Sequence, residues 1–206
     1  MKLRRHFIAL LAALPFLPAT VKAQAAALKA TPQDALGPFY PTQWDGEIDN
    51  DLLAFAGKSF AKGTPLSITG RVFATDGKPL AGAVVEIWQT DDIGKYRHPR
   101  DDGEGPAKRG FQGFGRTTTD AEGRYSFRTL KPVLYDTRPP HVHFKVVASR
   151  HRQLVTQMYF AGESAERGRD FMFSKERDRL TITTTTQRDG DRDGVAARFD
   201  LVLERA

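Results

Sequence analysis

Residues 66–90, LSITGRVFATDGKPLAGAVVEIWQT, alternate apolar and polar side chains on either side of a Thr75-Asp76-Gly77 turn. An alternation with a period of two predicts β-strands, because successive side chains of a strand point to opposite faces of its sheet. Turn residues between two such runs predict the connection that joins them. The stretch therefore predicts two strands, and the side chains expected in the core are Ile68, Val72, Val84, Ile87 and Trp88.

The same pattern of short strands and turns continues towards the C-terminus. GRTTTDAEGRYSFRTL (115–130) predicts two strands joined by an Asp-Ala-Glu-Gly turn. Further strands are predicted in HVHFKVVAS (141–149), LVTQMYF (154–160), LTITTTT (180–186) and ARFDLVLER (197–205). This spacing predicts an all-β protein, an antiparallel β-sandwich with long loops and little helix. The loop is expected over 91–115, and a short helix over 161–176.

Three segments are expected along the 206 residues. Residues 1–25 combine a basic start, an apolar run and a small-x-small ending at Ala23-Gln24-Ala25, which predicts a removable export signal. Arg4-Arg5 adds a twin-arginine character to it. Residues 26–64 are expected to be irregular, with GPFYP (37–41) kept from helix by its prolines, and 65–206 to form the sandwich. The mature protein is expected in the periplasm or outside the cell.

Charge and cysteine content exclude several classes of function. The net charge is +6, but four basic residues and no acidic ones lie in the export signal, so 27 basic residues face 25 acidic ones in the remainder. Such a balance gives no reason to expect nucleic acid as a partner. The apolar run of the signal is too short for stable membrane insertion. Without cysteine, a metal site must use nitrogen and oxygen ligands.

RPPHVHF (138–144) places His141 and His143 on one face of a predicted strand. They are either polar side chains on an exposed face or two ligands of a metal. The only later histidine, His151, would complete a three-histidine zinc site, but no acidic base stands close in sequence. Tyrosine is the other possible ligand, and two phenolates with two imidazoles would suit iron(III) better than zinc or magnesium. Tyr96 and Tyr135 are candidates among five tyrosines, although composition alone does not select them.

The chain resembles the intradiol ring-cleavage dioxygenases, a family of non-haem iron(III) enzymes. The resemblance rests on ITGRVFATDGKPLAGAVVEIWQTDDIGKY (68–96), FQGFGRTTTDAEGRYSFRTLKP (111–132) and RPPHVHF, which follow in family order. It implies Fe(3+) as the cofactor, with Tyr96, Tyr135, His141 and His143 as ligands. It also implies that a small aromatic diol reacts with dioxygen and opens between its two hydroxyl-bearing carbons to a muconate-type diacid. Family members are often oligomers, so a homo-oligomer is expected.

The resemblance also implies roles for four side chains. Tyr135 corresponds to the ligand that leaves when substrate binds and then serves as a base. Arg138 corresponds to an arginine that stabilises charge on the substrate, and Gln157 to a glutamine near dioxygen; Tyr40 is a candidate for the substrate pocket. The interval between Tyr135 and His141 is shorter than in well-known protocatechuate enzymes, which leaves the substrate open. Cations that could meet a substrate carboxylate are Lys95, Arg97 and Arg109.

Two alternatives come from the same residues. The pattern of turn glycines also resembles small β-sandwich modules attached to carboxypeptidases and surface proteins, which have no catalytic role. Such a module would not need the ordered tyrosines and histidines. Residues 189–200, DGDRDGVAARFD, imitate the start of a calcium-binding loop, but Asp200 replaces the expected glutamate and the flanks are strands, so a hairpin turn is the favoured interpretation.

Overall fold

The computed structural model describes residues 27–41, 43, 47–163 and 176–206. The predicted export signal and most of the predicted 161–176 helix lie outside the described residues. Strands dominate; they are β1 (Ala54–Phe55), β2 (Lys58–Ser59), β3 (Pro65–Ala74), β4 (Val84–Trp88), β5 (Phe114–Thr118), β6 (Arg124–Leu130), β7 (His141–Val147), β8 (Leu154–Phe160), β9 (Thr181–Ile182), β10 (Thr184–Asp189), β11 (Arg192–Arg198) and β12 (Leu201–Leu203). Within the described part of the chain no helix is long and apolar enough to cross a membrane.

The strands form two five-stranded sheets and one small hairpin. In the first sheet the order is β10-β11-β3-β12, with β6 also paired to β3. In the second sheet the order is β5-β4-β7-β8-β9. Most pairings are antiparallel, but β3 pairs in parallel with β11 and β12, and β8 pairs in parallel with β9. The predicted sandwich is thus confirmed, but its sheets are mixed rather than purely antiparallel, because strands near the C-terminus pair in parallel.

The two sheets enclose one apolar core. Ring contacts connect them: Phe144 of β7 lies 5.2 Å from Phe199 and 6.2 Å from Tyr125 of β6, measured between ring centroids. Val142 and Phe144, on one face of β7, are fully buried in this core. Because side chains alternate along a strand, the histidines of β7 point to the opposite face, away from the sandwich core.

The outer face of the second sheet carries a second buried cluster. It contains Trp88, Tyr96 and Phe114, with Phe39, Tyr40, Ile48 and Tyr135 packed against it. Trp88 and Phe114 belong to β4 and β5 of the sheet itself, and the other residues come from the N-terminal segment and from the loops before β5 and β7. The sheet is therefore buried on both faces, which explains how adjacent residues Ile87 and Trp88 can both be in apolar surroundings.

Both predicted turns exist, but neither joins two strands of one sheet; after the first turn the chain follows β3 only as far as Leu80, whose amide donates to the Val72 carbonyl oxygen at 2.8 Å. The Thr75-Asp76-Gly77 turn follows β3 of the first sheet, and the chain then enters β4 of the second. Likewise, the turn before β6 takes the chain from the second sheet back to the first; Asp120 accepts hydrogen bonds from the amides of Glu122 (3.0 Å) and Arg124 (2.8 Å). Local turn chemistry reverses the chain, whereas long-range pairing selects the neighbour of each strand.

The remaining sequence expectations need smaller corrections. Val84 is only half-buried, because it lies on the outer face of β4 with Trp88, whereas Val85 shares the core face with Ile87 and is fully buried. The long 91–115 loop holds a one-turn helix, α1 (Gly105–Lys108), and ends where β5 begins. The irregular 26–64 segment contains the β1–β2 hairpin. A 3-10 helix at Arg177–Leu180 follows the predicted 161–176 helix.

Candidate metal centre

His141 and His143 lie on the outer face of β7, where both side chains are buried. Their Nε2 atoms converge on one point: each lies 3.2 Å from the hydroxyl oxygen of Tyr96. Two imidazole nitrogens and a phenol oxygen of buried side chains thus meet at one place. Tyr96 precedes His141 by 45 positions, so the cluster exists only in the folded chain.

The orientation of His141 is set by the backbone ahead of it. Its Nδ1 lies 2.7 Å from the carbonyl oxygen of Pro139. A carbonyl can only accept, so Nδ1 carries the proton and Nε2 of the neutral ring keeps its lone pair. Pro139 and Pro140 restrict the chain at this point and hold that carbonyl in place. The Nε2 lone pair of His141 therefore faces the Tyr96 hydroxyl, and Nη1 of Arg138 also lies 3.1 Å from this nitrogen.

His143 is held by packing against an aromatic ring. Trp88, its partner across β4 and β7, stacks on it with ring centroids 4.7 Å apart and an interplanar angle of 9°. The N-terminal segment also approaches this ring: Gly37 has φ +72°, and a Cβ there would lie 3.1 Å from Cε1 of His143. Burial, together with the nearby His141 and Arg138, lowers the pKa of His143 well below its ordinary value. The neutral ring, which is the form that binds metals, is thus favoured.

Tyr96 is placed by the loop that follows β4. Asp91 accepts hydrogen bonds from the amides of Ile93 (3.1 Å) and Lys95 (2.9 Å), and Asp101 accepts one from the amide of Tyr96 (2.7 Å). These carboxylates shape the turn that brings the ring to the histidines. Burial raises the pKa of the Tyr96 phenol, with an opposing contribution from Arg138. A cation beside the hydroxyl would favour the phenolate and act against this effect of burial.

Tyr135 lies beside Tyr96 rather than among the buried donors. The two rings meet edge to face with centroids 5.2 Å apart, and Tyr135 is half-buried. Phe39 contacts both rings, stacking on Tyr96 at 4.6 Å and meeting Tyr135 edge-on at 5.5 Å. Burial raises the pKa of Tyr135. The structure thus brings three of the four sequence-predicted donors together, and the ring of Tyr135 lies beside them at a more exposed edge.

Arg138 and Gln157 extend the cluster along β8. Arg138 is buried, and its Nη1 lies 3.1 Å from Nε2 of His141. Its Nη2 donates to Oε1 of Gln157 (2.7 Å) and to the hydroxyl of Tyr159 (3.1 Å). Gln157 is the strand partner of His143, and Tyr159 is that of His141. Two side chains of β8 that are two residues apart, and so lie on one face, therefore hold the arginine next to the histidines.

Sequence reasoning missed Tyr159 and Asp34. The Tyr159 hydroxyl donates to Oδ2 of Asp34 at 3.0 Å, across 125 residues of sequence. Alternation along β8 was a signal for Tyr159, because it places this residue on the same face as Gln157. No local signal distinguished Asp34, since its contact depends on how the N-terminal segment crosses the sheet.

Tyr40 is one ring removed from the histidines. Its ring meets Trp88 edge-on with centroids 5.0 Å apart, and Trp88 in turn stacks on His143. The Tyr40 hydroxyl donates to Oε2 of Glu86 (2.8 Å) and accepts from Nζ of Lys145 (2.6 Å). Tyr40 therefore contacts the aromatic cluster through its ring, while its hydroxyl is hydrogen-bonded to Glu86 and Lys145.

The three candidate cations for a substrate carboxylate are paired within their own loop. Nζ of Lys95 lies 3.3 Å from Asp101, and Nε of Arg97 lies 2.9 Å from Glu104. Arg109 contacts the fully buried carboxylate of Asp91 and lies 3.1 Å from that of Asp102. A substrate carboxylate would have to compete with these acids.

The alternative metal sites do not form in the described residues. No group of three or more His, Cys, Asp and Glu side chains there is arranged to hold a metal. His151 therefore does not complete a three-histidine zinc site; its Nδ1 lies 2.7 Å from the carbonyl oxygen of Ser149. Residues 189–200 begin with the turn between β10 and β11, where Asp193 pairs with Arg188 across the hairpin, while Asp189 pairs with Arg128 of β6.

The donors present match the requirements of a trivalent iron site. Phenol oxygen is a hard anionic donor once deprotonated, and imidazole suits iron. The proton on Nδ1 of His141 leaves Nε2 for the metal, and the contact with Pro139 is the outer hydrogen bond usual for a ligating histidine. These residues therefore fit iron(III), with two nitrogens and a phenol in place and a second phenol beside them.

Comparison with known proteins gives consistent matches. The sequence model of the Dioxygenase family matches residues 35–205. The protocatechuate 3,4-dioxygenase beta chain of Burkholderia cepacia is 36% identical over 199 residues, covering 85% of this chain and 80% of that protein. Catechol 1,2-dioxygenase 2 of Acinetobacter lwoffii is 35% identical over 160 residues, covering 69% of this chain but only 55% of that protein. The dioxygenase domain of a dioxygenase carbohydrate-binding protein fusion from Streptomyces sp. SirexAA-E has a TM-score of 0.66 and 30% identity, covering 86% of this chain and 100% of that domain.

Proposed function

The chain belongs to the intradiol dioxygenase family, and on this premise we propose that it is an iron(III) enzyme that cleaves a catechol-type ring with dioxygen. The ring would open between its two hydroxyl-bearing carbons and give a muconate-type diacid. One observation carries the proposal: the Tyr96 hydroxyl lies 3.2 Å from Nε2 of both histidines, with Tyr135 against its ring. A non-catalytic sandwich module has no use for this buried arrangement.

Tyr96, Tyr135, His141 and His143 would hold the iron. Bound iron(III) would supply chelation of the diol and its activation towards dioxygen. Tyr135 is the ligand best suited to leave, because it lies at the exposed edge of the cluster. Its hydroxyl oxygen would then accept a proton from a substrate hydroxyl.

Arg138 and Gln157 would act on the substrate side of the centre. The guanidinium next to His141 is a fixed positive charge in a buried place, where it would stabilise negative charge that develops on the diol. Gln157 would hold that guanidinium through Oε1 and line the space for dioxygen. Tyr40 would bound the substrate pocket through its ring, with Trp88 between it and His143.

The substrate is proposed to be an uncharged catechol rather than one with a carboxylate. The argument rests on Lys95, Arg97 and Arg109, which are paired with acids of their own loop. Detaching Arg109 would leave the buried carboxylate of Asp91 without this partner, which is costly. The short interval between Tyr135 and His141 also limits how much protein can surround a ring substituent.

Export and assembly follow as further proposals. The N-terminal pattern supports export to the periplasm or beyond, after removal of about 25 residues. The name of the Burkholderia cepacia relative, a beta chain, supports assembly into an oligomer.

Iron content and the visible spectrum of the purified protein test the proposed function. Tyrosinate on iron(III) should give a reddish colour that shifts when catechol is added without oxygen. Tyr96→Phe should weaken the colour, while Tyr125→Phe should not, because the Tyr125 hydroxyl donates to the carbonyl oxygen of Phe199 at 2.5 Å. A protein that remains colourless after iron loading, and turns over no diol, would refute the proposal.

A further inference from the structure

We propose that Tyr159 and Asp34 are positioning residues that hold the Arg138 guanidinium beside the metal centre. The inference rests on the proposed function, because Arg138 acts on substrate only in an enzyme. It extends that function to two residues outside the predicted site, one of which lies in the N-terminal segment.

The three side chains form a continuous chain of hydrogen bonds. Nη2 of Arg138 lies 3.1 Å from the Tyr159 hydroxyl, and that hydroxyl lies 3.0 Å from Oδ2 of Asp34. Tyr159 is 2% exposed, so water does not compete for its hydroxyl. The half-buried carboxylate of Asp34 and the buried guanidinium of Arg138 are thus linked through one buried phenol.

The direction of each hydrogen bond follows from the available protons. Arg138 can only donate, so the Tyr159 oxygen must accept from it. The single phenol proton then has two acceptors within reach, Oδ2 of Asp34 and Oε1 of Gln157 at 2.9 Å. A carboxylate is the stronger acceptor. Asp34 therefore orients the phenol so that its lone pair faces Arg138.

Gln157 cannot take over this role by turning its amide. Its Nε2 donates to the carbonyl oxygen of Ala35 at 2.6 Å, which fixes Oε1 towards Arg138. Both acceptors of Nη2 are consequently defined by the N-terminal segment, one through Ala35 and one through Asp34. The segment is itself anchored to β8 by the Asp34 amide, which donates to the carbonyl oxygen of Val155 at 2.9 Å.

This arrangement makes residues around Asp34 part of the active site rather than a peripheral arm. A long guanidinium side chain has many rotamers, and its effect on charge depends on where its nitrogens lie. Two well-directed acceptors select one of these rotamers. Loss of the phenol oxygen would leave Arg138 in the site but less well placed.

The enzyme test compares Tyr159→Phe and Asp34→Asn with Tyr125→Phe, a buried tyrosine of the other sheet. For Tyr159→Phe we expect kcat to fall about 10- to 100-fold, with unchanged iron content and KM within about threefold. In Asp34→Asn the fall in kcat should be smaller than in Tyr159→Phe, because the Tyr159 phenol remains. Tyr125→Phe should keep kcat. A Tyr159→Phe enzyme with kcat within about twofold of wild type would overturn the inference.

A double-mutant cycle on unfolding supplies a readout that does not need turnover. Tyr159→Phe, Arg138→Met and the double variant are compared as purified proteins by thermal unfolding. If the two side chains are coupled, the Tm loss of the double variant is smaller than the sum of the single losses by about 2–4 °C. Additive losses would contradict the inference even if the enzyme is active. If the cycle shows coupling but the protein binds no iron and cleaves no diol, the contact between Tyr159 and Arg138 is real and the proposed function is wrong.

Discussion

Tyr135 and Arg138 face each other across a two-residue turn and are joined by two backbone hydrogen bonds. The Arg138 amide donates to the Tyr135 carbonyl oxygen at 2.9 Å, and the Tyr135 amide donates to the Arg138 carbonyl oxygen at 3.3 Å. The short interval before the histidines is therefore an ordered turn. It ties the proposed leaving ligand to the proposed charge-stabilising group, so a change in the turn should affect both.

Asp136 is the residue through which this turn can be tested. It adopts φ +53°, a left-handed conformation that aspartate and asparagine tolerate better than β-branched residues. Asp136→Val should lower the free energy of unfolding by about 1 kcal/mol or more and weaken the iron-tyrosinate absorption. Urea unfolding and visible spectra measure the two effects. Asp136→Asn is the control and should preserve both; equal behaviour of the two variants would show that the backbone conformation does not matter here.

Gly37 tests the packing behind His143. Gly37→Ala should reduce iron content, because the new Cβ would crowd Cε1 of His143 at 3.1 Å. Gly57→Ala is a matched control: Gly57 has nearly the same φ, +73° against +72°, but open space around its Cβ position. Both variants should lose about 1 kcal/mol of stability from the left-handed backbone. Iron content by metal analysis should fall only for Gly37→Ala, and a parallel fall in both would exclude the steric explanation.

Substrate preference tests whether the cations of the 91–115 loop bind a substrate carboxylate. We expect kcat/KM to be higher for catechol than for protocatechuate, because Lys95, Arg97 and Arg109 are already paired with acids. Arg109→Gln should destabilise the protein by about 1–3 kcal/mol, since it leaves buried Asp91 with one partner fewer, without a selective loss on protocatechuate. Steady-state kinetics on both diols, with unfolding of the variant, measure this. A preference for protocatechuate that Arg109→Gln abolishes would reverse the assignment.

Stability at low pH should depend on Asp189. Its hydrogen bond from Arg128 lowers the pKa of this carboxylate below its usual value, despite an opposing effect of burial. A carboxylate whose pKa is lower in the folded state stabilises the fold above its unfolded pKa, and the contribution disappears as pH falls through the folded pKa. Asp189→Asn should thus cost about 1 kcal/mol at pH 7, and the difference from wild type should close below about pH 4.

The control for this pH effect lies in the same hairpin. Asp193 pairs with Arg188, but its side chain is 85% exposed. Asp193→Asn should therefore have little effect on urea unfolding at pH 7. A gap between Asp189→Asn and wild type that does not narrow at all as the pH falls below about 4 would point to a cause other than charge.

Much of the fold could be predicted from local pattern. Alternation identified the strands around Ile68 and Ile87, because the period of side chains along a strand is a property of the strand alone. The same rule placed His141 and His143 on one face. Strict alternation places Val84 and Ile87 on opposite faces, so the expectation that both lie in the sandwich core was wrong for Val84. The turns were also identified, but the strands that they join belong to different sheets.

The sequence by itself determined which side chains could serve as donors: two histidines on one strand face, tyrosines in the preceding loops, and no cysteine. Only the tertiary structure decided which of them meet. Tyr96 reaches His141 across 45 residues, and Asp34 reaches Tyr159 across 125. Periodicity reports the face of a strand, whereas such contacts depend on strand order and on the path of the N-terminal segment. Those are set by burial of the whole chain, because the second sheet is stable only when both of its faces are covered.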